Sequence, residues 1–154
     1  MAYPIAIGSE TRLSLFYLSS NEIGSATHSV DRAYSDGRHF IPTHVQGAIV
    51  ASLDDLTYKY ELPFPNHIKI DVDGFEREVI SGGINLIKDT RLRTILIEVG
   101  KGVNREEVCR IIADQGFKLE LEEPVSADGL NVNYLYIRIK NKKNRIEIKH
   151  LGIH

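Results

Sequence analysis

A single cysteine, Cys109, in 154 residues leaves no partner for an internal disulfide and too few thiolates for a cysteine-based zinc site. Tryptophan is absent altogether. No apolar run approaches the roughly 18 residues that a membrane helix needs, and the opening residues lack the basic stretch and apolar run of a secretory signal. The expected compartment is therefore the cytoplasm, with no membrane partner. Excess positive charge is also missing: 19 Lys and Arg stand against 21 Asp and Glu, a net of −2, so no nucleic-acid partner is expected. Of the six histidines, His28, His39 and His44 fall in or beside a polar stretch at spacings that fit no metal motif. They read as surface or loop histidines, and no metal site is expected.

What remains is the composition of a folded domain, 42% apolar and 26% charged. A chain of this length buries about 68–70% of its unfolded surface, enough for a core without disulfides. Charge is unevenly spread. From Arg138 onward six basic residues (Arg138, Lys140, Lys142, Lys143, Arg145, Lys149) face one acid, Glu147, which leaves −7 on residues 1–137. The chain thus divides into a domain over residues 1–139 and a basic, solvated tail over 140–154.

The first third reads as β structure. Ile5-Ala6-Ile7 is a short apolar run, Gly8-Ser9-Glu10 supplies a turn, and Leu13, Leu15 and Tyr17 alternate along one face of a strand. Residues 19–38 are rich in Ser, Asn, Gly and Asp and read as a long loop, a candidate lid or substrate edge. Val45, Gly47 and Ile49 mark another strand, which leads to Leu53-Asp54-Asp55-Leu56. Tyr58, Tyr60, Phe64 and Phe117 are expected in core or edge packing, since no basic residues interleave with them.

The centre changes character. Ile68-Lys69-Ile70-Asp71-Val72 has the pattern of a strand buried in a parallel sheet, and a helix follows with Asp73 as N-cap, Glu76 as its capping-box partner and Gly82-Gly83 as its stop. Residues 84–88 add a helical turn, and residues 94–99 form a second buried strand. Asn104 and Glu107 open another helix with Val108, Ile111 and Ile112 as its apolar stripe and Gly116 as its end. Residues 117–121 and 132–139 close the pattern as two strands around a turn at Ser126-Ala127-Asp128-Gly129. Alternating strands and helices predict an α/β fold whose ligands gather at the carboxyl ends of the strands. Asp71, Asp73 and Glu98 lie at those ends, which makes them the candidate site residues.

Asp71-Val72-Asp73-Gly74 admits several chemistries. An EF-hand is excluded, because glycine would have to stand sixth and here stands fourth. An Asp-x-Asp-Gly strand end resembles the haloacid dehalogenase-like phosphatases, but Phe75 follows the glycine where that family has Thr or Val. A purely structural role also fits either acid alone: Asp73 as a helix cap, Asp71 as a partner of Lys69 or Arg77.

The run of residues 68–76, then Glu78-Val79-Ile80-Ser81-Gly82-Gly83, then Ile95-Leu96-Ile97-Glu98-Val99, resembles the FkbM family of S-adenosylmethionine-dependent methyltransferases. Leu53-Asp54-Asp55-Leu56 matches an upstream element of that family, and residues 24–29 match its small, polar loop loosely. Asp73 stands where the family has Glu. The resemblance implies a Rossmann-like methyltransferase sheet, mostly parallel with an antiparallel C-terminal hairpin. It implies S-adenosylmethionine as cofactor and methyl transfer to a hydroxyl of a small-molecule or sugar acceptor. Asp71 or Asp73 would take or steer the hydroxyl proton, and Glu98 would shape the acceptor pocket. The match starts at the family's third strand, and the isolated Gly8, Gly24, Gly37 and Gly47 make no glycine-rich cofactor turn. The expectation is therefore an N-terminally truncated domain without identified cofactor-binding residues, impaired in catalysis, with an exposed sheet edge through which copies associate. A non-catalytic scaffold or interaction module is the alternative reading, and a phosphatase the third.

Overall fold

Local pairing in the first third of the chain is dictated by alternating short strands. In the computed structural model, which describes residues 2–23, 25, 28–35, 37–100, 105–125 and 131–139, β1 (Ala6–Ile7) runs parallel to the end of a long strand, Ala6 opposite Val50 and Ile7 opposite Ala51. After the turn at Gly8, β2 (Arg12–Leu18) is followed by β3 (Ser29–Val30), β4 (Tyr34–Ser35), β5 (Arg38–His39) and that long strand, β6 (His44–Ala51). The first sheet has the order β1-β6-β2-β3, while β4 and β5 form a separate two-stranded ribbon. Residues 19–38, read as loop, thus contain short strands, and Ser29, Val30 and Ser35 are buried. Asp31 pins this region to β2 by accepting hydrogen bonds from the Arg12 guanidinium, one at 2.8 Å, and from the Ser14 hydroxyl.

The alternation of Leu13, Leu15 and Tyr17 is real, but its apolar members face outward. Leu13 is 82% exposed and sits opposite exposed Ile49, while Arg12, Ser14 and Phe16 are partly buried. The polar side of the strand is the inner one because Arg12 and Ser14 find Asp31 there.

Beyond β6 the chain makes one π-helical turn, Asp55–Lys59. Next come β7 (His67–Ile70), α1 (Glu76–Ser81), α2 (Ile84–Lys88), β8 (Thr94–Val99), α3 (Arg105–Asp114), β9 (Phe117–Pro124) and β10 (Val132–Arg138). β7 and β8 are parallel, and β10 inserts antiparallel between β8 and β9. Val79, Ile80, Leu86, Ile87, Val108 and Ile112 of the helices close over Ile70, Ile95, Ile97 and Val99 of the sheet. Arg138 braces the far edge: its guanidinium donates to the carbonyls of Leu92 (2.7 Å), Gln115 (3.0 Å) and Ile87, and lies 4.2 Å from the ring centre of Phe117.

The α/β class and the antiparallel C-terminal hairpin hold, but the mostly parallel sheet does not. Among the described strands only β1–β6 and β7–β8 pair in parallel, and the remaining five pairs are antiparallel. β6 returns antiparallel beside β2 after β3, β4 and β5, Leu18 opposite His44 and Arg12 opposite Val50, and β10 reverses after β9 to lie antiparallel to both β9 and β8.

Other expectations need correction. Asp73 does not stand at the N-cap of α1; Phe75 does, without a side-chain cap. Gly74 takes a left-handed φ of 96° and its N–H turns back to the Val72 carbonyl at 2.9 Å, which delays the helix by two residues. Tyr58 and Tyr60 are exposed, whereas Phe64 packs against the core and Phe117 lies in it. Asn104, Gly24, the turn residues Ser126, Ala127, Asp128 and Gly129, and the tail 140–154 lie outside the described residues.

Candidate active site

The parallel pair β7–β8 carries Asp71 and Glu98 to the same end of the sheet. Ile70 registers with Ile97, so Asp71 and Glu98 stand one step further along neighbouring strands. Asp71 is exposed and its carboxylate accepts a hydrogen bond from the Lys69 ammonium at 2.7 Å. Of the two structural partners open to Asp71, Lys69 is the one used; Arg77 pairs with Glu107 at 3.0 Å instead. The Asp71 hydrogen bond and, at longer range, the charge of Glu98 hold the Lys69 ammonium above the ordinary lysine range. Glu98 is half-buried and accepts from the Asn131 amide at 3.0 Å.

Asp73 lies apart from this group. Val72 and Ile7 form a shared wall with a cavity on either side. Asp71 lines one, an apolar trough of about 320 Å³ between β1 and β7, with Leu53, Ile68, Ile70 and Val79 around it. Asp73 lines the other, of about 350 Å³, with His28, Ser29, Phe16 and Phe75. The two acids that flank Val72 thus serve different spaces, and Glu98 lines neither.

His28, read from the sequence as a surface or loop histidine, is half-buried and lines the Asp73 cavity. Its ring meets Phe16 edge-on, 5.8 Å between centres, and its Nδ1 accepts the Ser19 backbone N–H at 3.2 Å. The signal is tertiary: only when Tyr17 pairs with Ser29 does His28 come beside Phe16. Glu76, 1% exposed at the start of α1, accepts from the Gly74 N–H at 3.4 Å and so holds the turn that follows Asp73. Among the described residues no group of three His, Cys, Asp or Glu is placed to hold a metal ion.

The family profile of the methyltransferase FkbM domain matches residues 1–119. The chain belongs to that family. The hexuronic acid methyltransferase AglP of Haloferax volcanii is a similar protein, 27% identical over 112 residues, which are 72% of this chain and 46% of AglP. The chain therefore spans about half the length of the curated relative it matches. No solved structure matches the chain.

Against that FkbM membership, the described residues do not fit S-adenosylmethionine well. Asp71 and Lys69 are the charged side chains lining the trough, and they satisfy each other. The only Gly-x-Gly of the sequence, Gly100-Lys101-Gly102, follows β8 rather than the early strands, and Lys101 and Gly102 lie outside the described residues. Among the described residues no glycine lines either cavity, so neither has the glycine-rich turn that grips a nucleoside cofactor.

Proposed function

We propose that the chain serves methyl transfer from S-adenosylmethionine to a hydroxyl of a sugar or other small molecule. Membership of the FkbM family supports the reaction class, and the name of AglP, a hexuronic acid methyltransferase, supports a sugar-type acceptor. The observation that carries the reading is the placement of Asp71 and Glu98 at the carboxyl ends of neighbouring parallel strands, with Asp73 three residues past β7, within a matched FkbM domain. The β7–α1–β8 unit is consistent with a Rossmann-like scaffold. When bound, the cofactor would supply the electrophilic methyl group.

The chain's own contribution is proton handling and orientation. Asp73, which lines the cavity shared with Phe16 and His28, is assigned to accept the hydroxyl proton, while Asp71 lies across the Val72–Ile7 wall from it and Glu98 lines neither cavity, so neither is assigned a contact with the same acceptor. Supplied with millimolar S-adenosylmethionine labelled in its methyl group and a panel of hydroxylated acceptors, the chain should transfer label to an oxygen. Asp73→Asn should lower turnover by about 10²-fold, the lower end of what a positioned base contributes. Absence of any transfer, or transfer indifferent to Asp73, overturns the reading.

A second reading is favoured by one observation: β7 stands at the edge of its sheet and faces an apolar trough. Such an edge offers unpaired backbone groups to another strand, which suits an interaction module or self-association. Concentration-dependent sedimentation that Lys or Pro at Ile68 abolishes would support it.

A further inference from the structure

Beyond Ile139 the chain runs on through residues 140–154, past the family match and outside the described residues. Net charge alone reads this tail as solvated, yet its middle has the pattern of a strand. Arg145-Ile146-Glu147-Ile148-Lys149 alternates charged and apolar side chains with period two, after a stretch, Lys140-Asn141-Lys142-Lys143-Asn144, that has no apolar residue at all.

The fold holds an edge of matching pattern. Among the described strands β7 has β8 on one side and no strand on the other, so every second residue turns its N–H and C=O outward. All five residues from Ile68 to Val72 line the trough beside that edge. Neighbouring side chains of a strand point to opposite faces, so a trough touched by five in succession follows the backbone edge itself. Ile70 is buried and Ile68 and Val72 are half-buried, whereas His67, Lys69 and Asp71 are exposed. Ile7, Leu53 and Val79 complete an apolar wall.

Pattern and charge select one register. With Ile146 and Ile148 beside Ile68 and Ile70, Glu147 falls next to Lys69 on the exposed face. A slip of one residue would turn both isoleucines to solvent. A slip of two would set Lys69 against Arg145 or Lys149, and like charges side by side are unfavourable. Lys69 and Asp71 already pair at 2.7 Å, and Glu147 and Lys149 extend that pair into a ladder of alternating sign.

Direction follows from where the chain leaves the sheet. Ile137 registers with Thr94 and Thr94 with His67, so β10 ends at the amino end of β7. The open side of β7 lies three strand spacings from β10, about 14 Å. A tail strand parallel to β7, with Arg145 beside His67, needs about 16 Å from Ile139. An antiparallel one, with Arg145 beside Asp71, needs about 24 Å. The six residue steps from Ile139 to Arg145 span at most about 22 Å. Only the parallel strand is within reach.

We propose that residues 145–149 dock on the open edge of β7 as a parallel strand, Ile146 and Ile148 filling the trough. The tail of the same chain then closes the edge that would otherwise recruit another copy. The proposal rests on the open edge behind the second reading above but not on methyl transfer, and it names a different occupant.

The test is amide hydrogen exchange, read by NMR on the full ¹⁵N-labelled chain at two concentrations about tenfold apart. Amides within 146–149 should exchange at least about tenfold slower than those of 141–143, equally at both concentrations, with nuclear Overhauser contacts to Ile68 and Ile70. Ile148→Asp should return the tail to the rate of 141–143 and speed exchange along Ile68–Asp71. Glu147→Lys should weaken the protection, and Lys69→Glu added to it should restore it. Unchanged exchange at core amides such as Ile95 and Ile97 shows that each variant is folded. A tail as open to exchange as 141–143, protection indifferent to Ile148→Asp, or contacts to a strand other than β7 overturns the proposal. Protection that grows with concentration overturns it in favour of pairing between copies. A protected tail in a chain that sediments as a monomer upholds it and refutes self-association, whereas an unprotected tail in a monomer refutes both.

Discussion

The carbonyl oxygen of Gly8 lies 2.0 Å from where a Cβ on Gly82 would stand, so the end of β1 and the end of α1 touch backbone to backbone. This contact, with the Asp54 N–H donating to the Gly82 carbonyl at 2.9 Å, joins the first sheet to the second. Gly82 has an ordinary helical φ of −75°, so glycine is required here by space and not by backbone conformation.

Gly82→Ala must push two backbones apart, and overpacking of this kind costs about 3 kcal/mol or more. Gly83→Ala is the comparison, because its added Cβ would meet the movable Leu53 side chain at 2.9 Å and should cost less than about 1.5 kcal/mol. Urea denaturation of both variants checks the order. Equal losses would show that the sheets are not joined through Gly82.

The second half of the fold was legible because its signals are local. The apolar runs of β7 and β8, the stripe of α3 and the left-handed Gly116 (φ 84°) each announce their element within a few residues. The first half was not, since two-residue strands such as β3 and β4 owe their existence to partners elsewhere in the chain. Gly82 was legible as a helix stop, yet the physical reason for it, the Gly8 carbonyl, is a contact across 74 residues of sequence. Of the site, Asp71 and Glu98 could be placed from strand ends, whereas His28 depends on the pairing of β2 with β3.

Asp54 shows which acid of Leu53-Asp54-Asp55-Leu56 matters for structure. Its carboxylate accepts from the backbone N–H of Asn85 (3.0 Å) and Leu86 (2.8 Å) and from the Asn85 side-chain amide (2.9 Å), capping α2 from a distant segment. Asp54→Ala should cost about 1–2 kcal/mol, the usual loss for a cap. Asp55→Ala should stay within about 0.5 kcal/mol. Thermal melts of the two single variants separate them, and a larger effect at Asp55 would contradict the assignment.

Asp89 gives a pH signature. The Arg91 side chain, donating at 2.8 Å and 3.1 Å, holds its carboxyl down to about 2 from an ordinary 3.8. A folded-state value below the unfolded one means stability that is complete above the unfolded value and disappears as the pH falls toward the folded one. The stability difference between the native chain and Asp89→Asn should therefore be constant above about pH 5 and shrink between about pH 4 and pH 2. Guanidinium denaturation across that range reads it directly, and a difference that persists at pH 2 would sink the idea.

Affinity for S-adenosylmethionine follows from what lines the trough. S-adenosylmethionine needs a carboxylate for its ribose hydroxyls, backbone N–H groups for its own carboxylate and oxygen acceptors for its ammonium. Asp71 is the acid nearest such a role, and it is held by Lys69 at 2.7 Å; the remaining walls, from Ile7 to Val79, are apolar. Calorimetric titration of the chain with S-adenosylmethionine should show no saturable heat below about millimolar concentration, where binding is worth only about 4 kcal/mol. Lys69→Met should not tighten it, because freeing one carboxylate supplies none of the backbone donors. A micromolar Kd would show that the chain builds its cofactor grip from groups other than these, and would return Asp71 to the solvent-exposed ion pair it forms with Lys69.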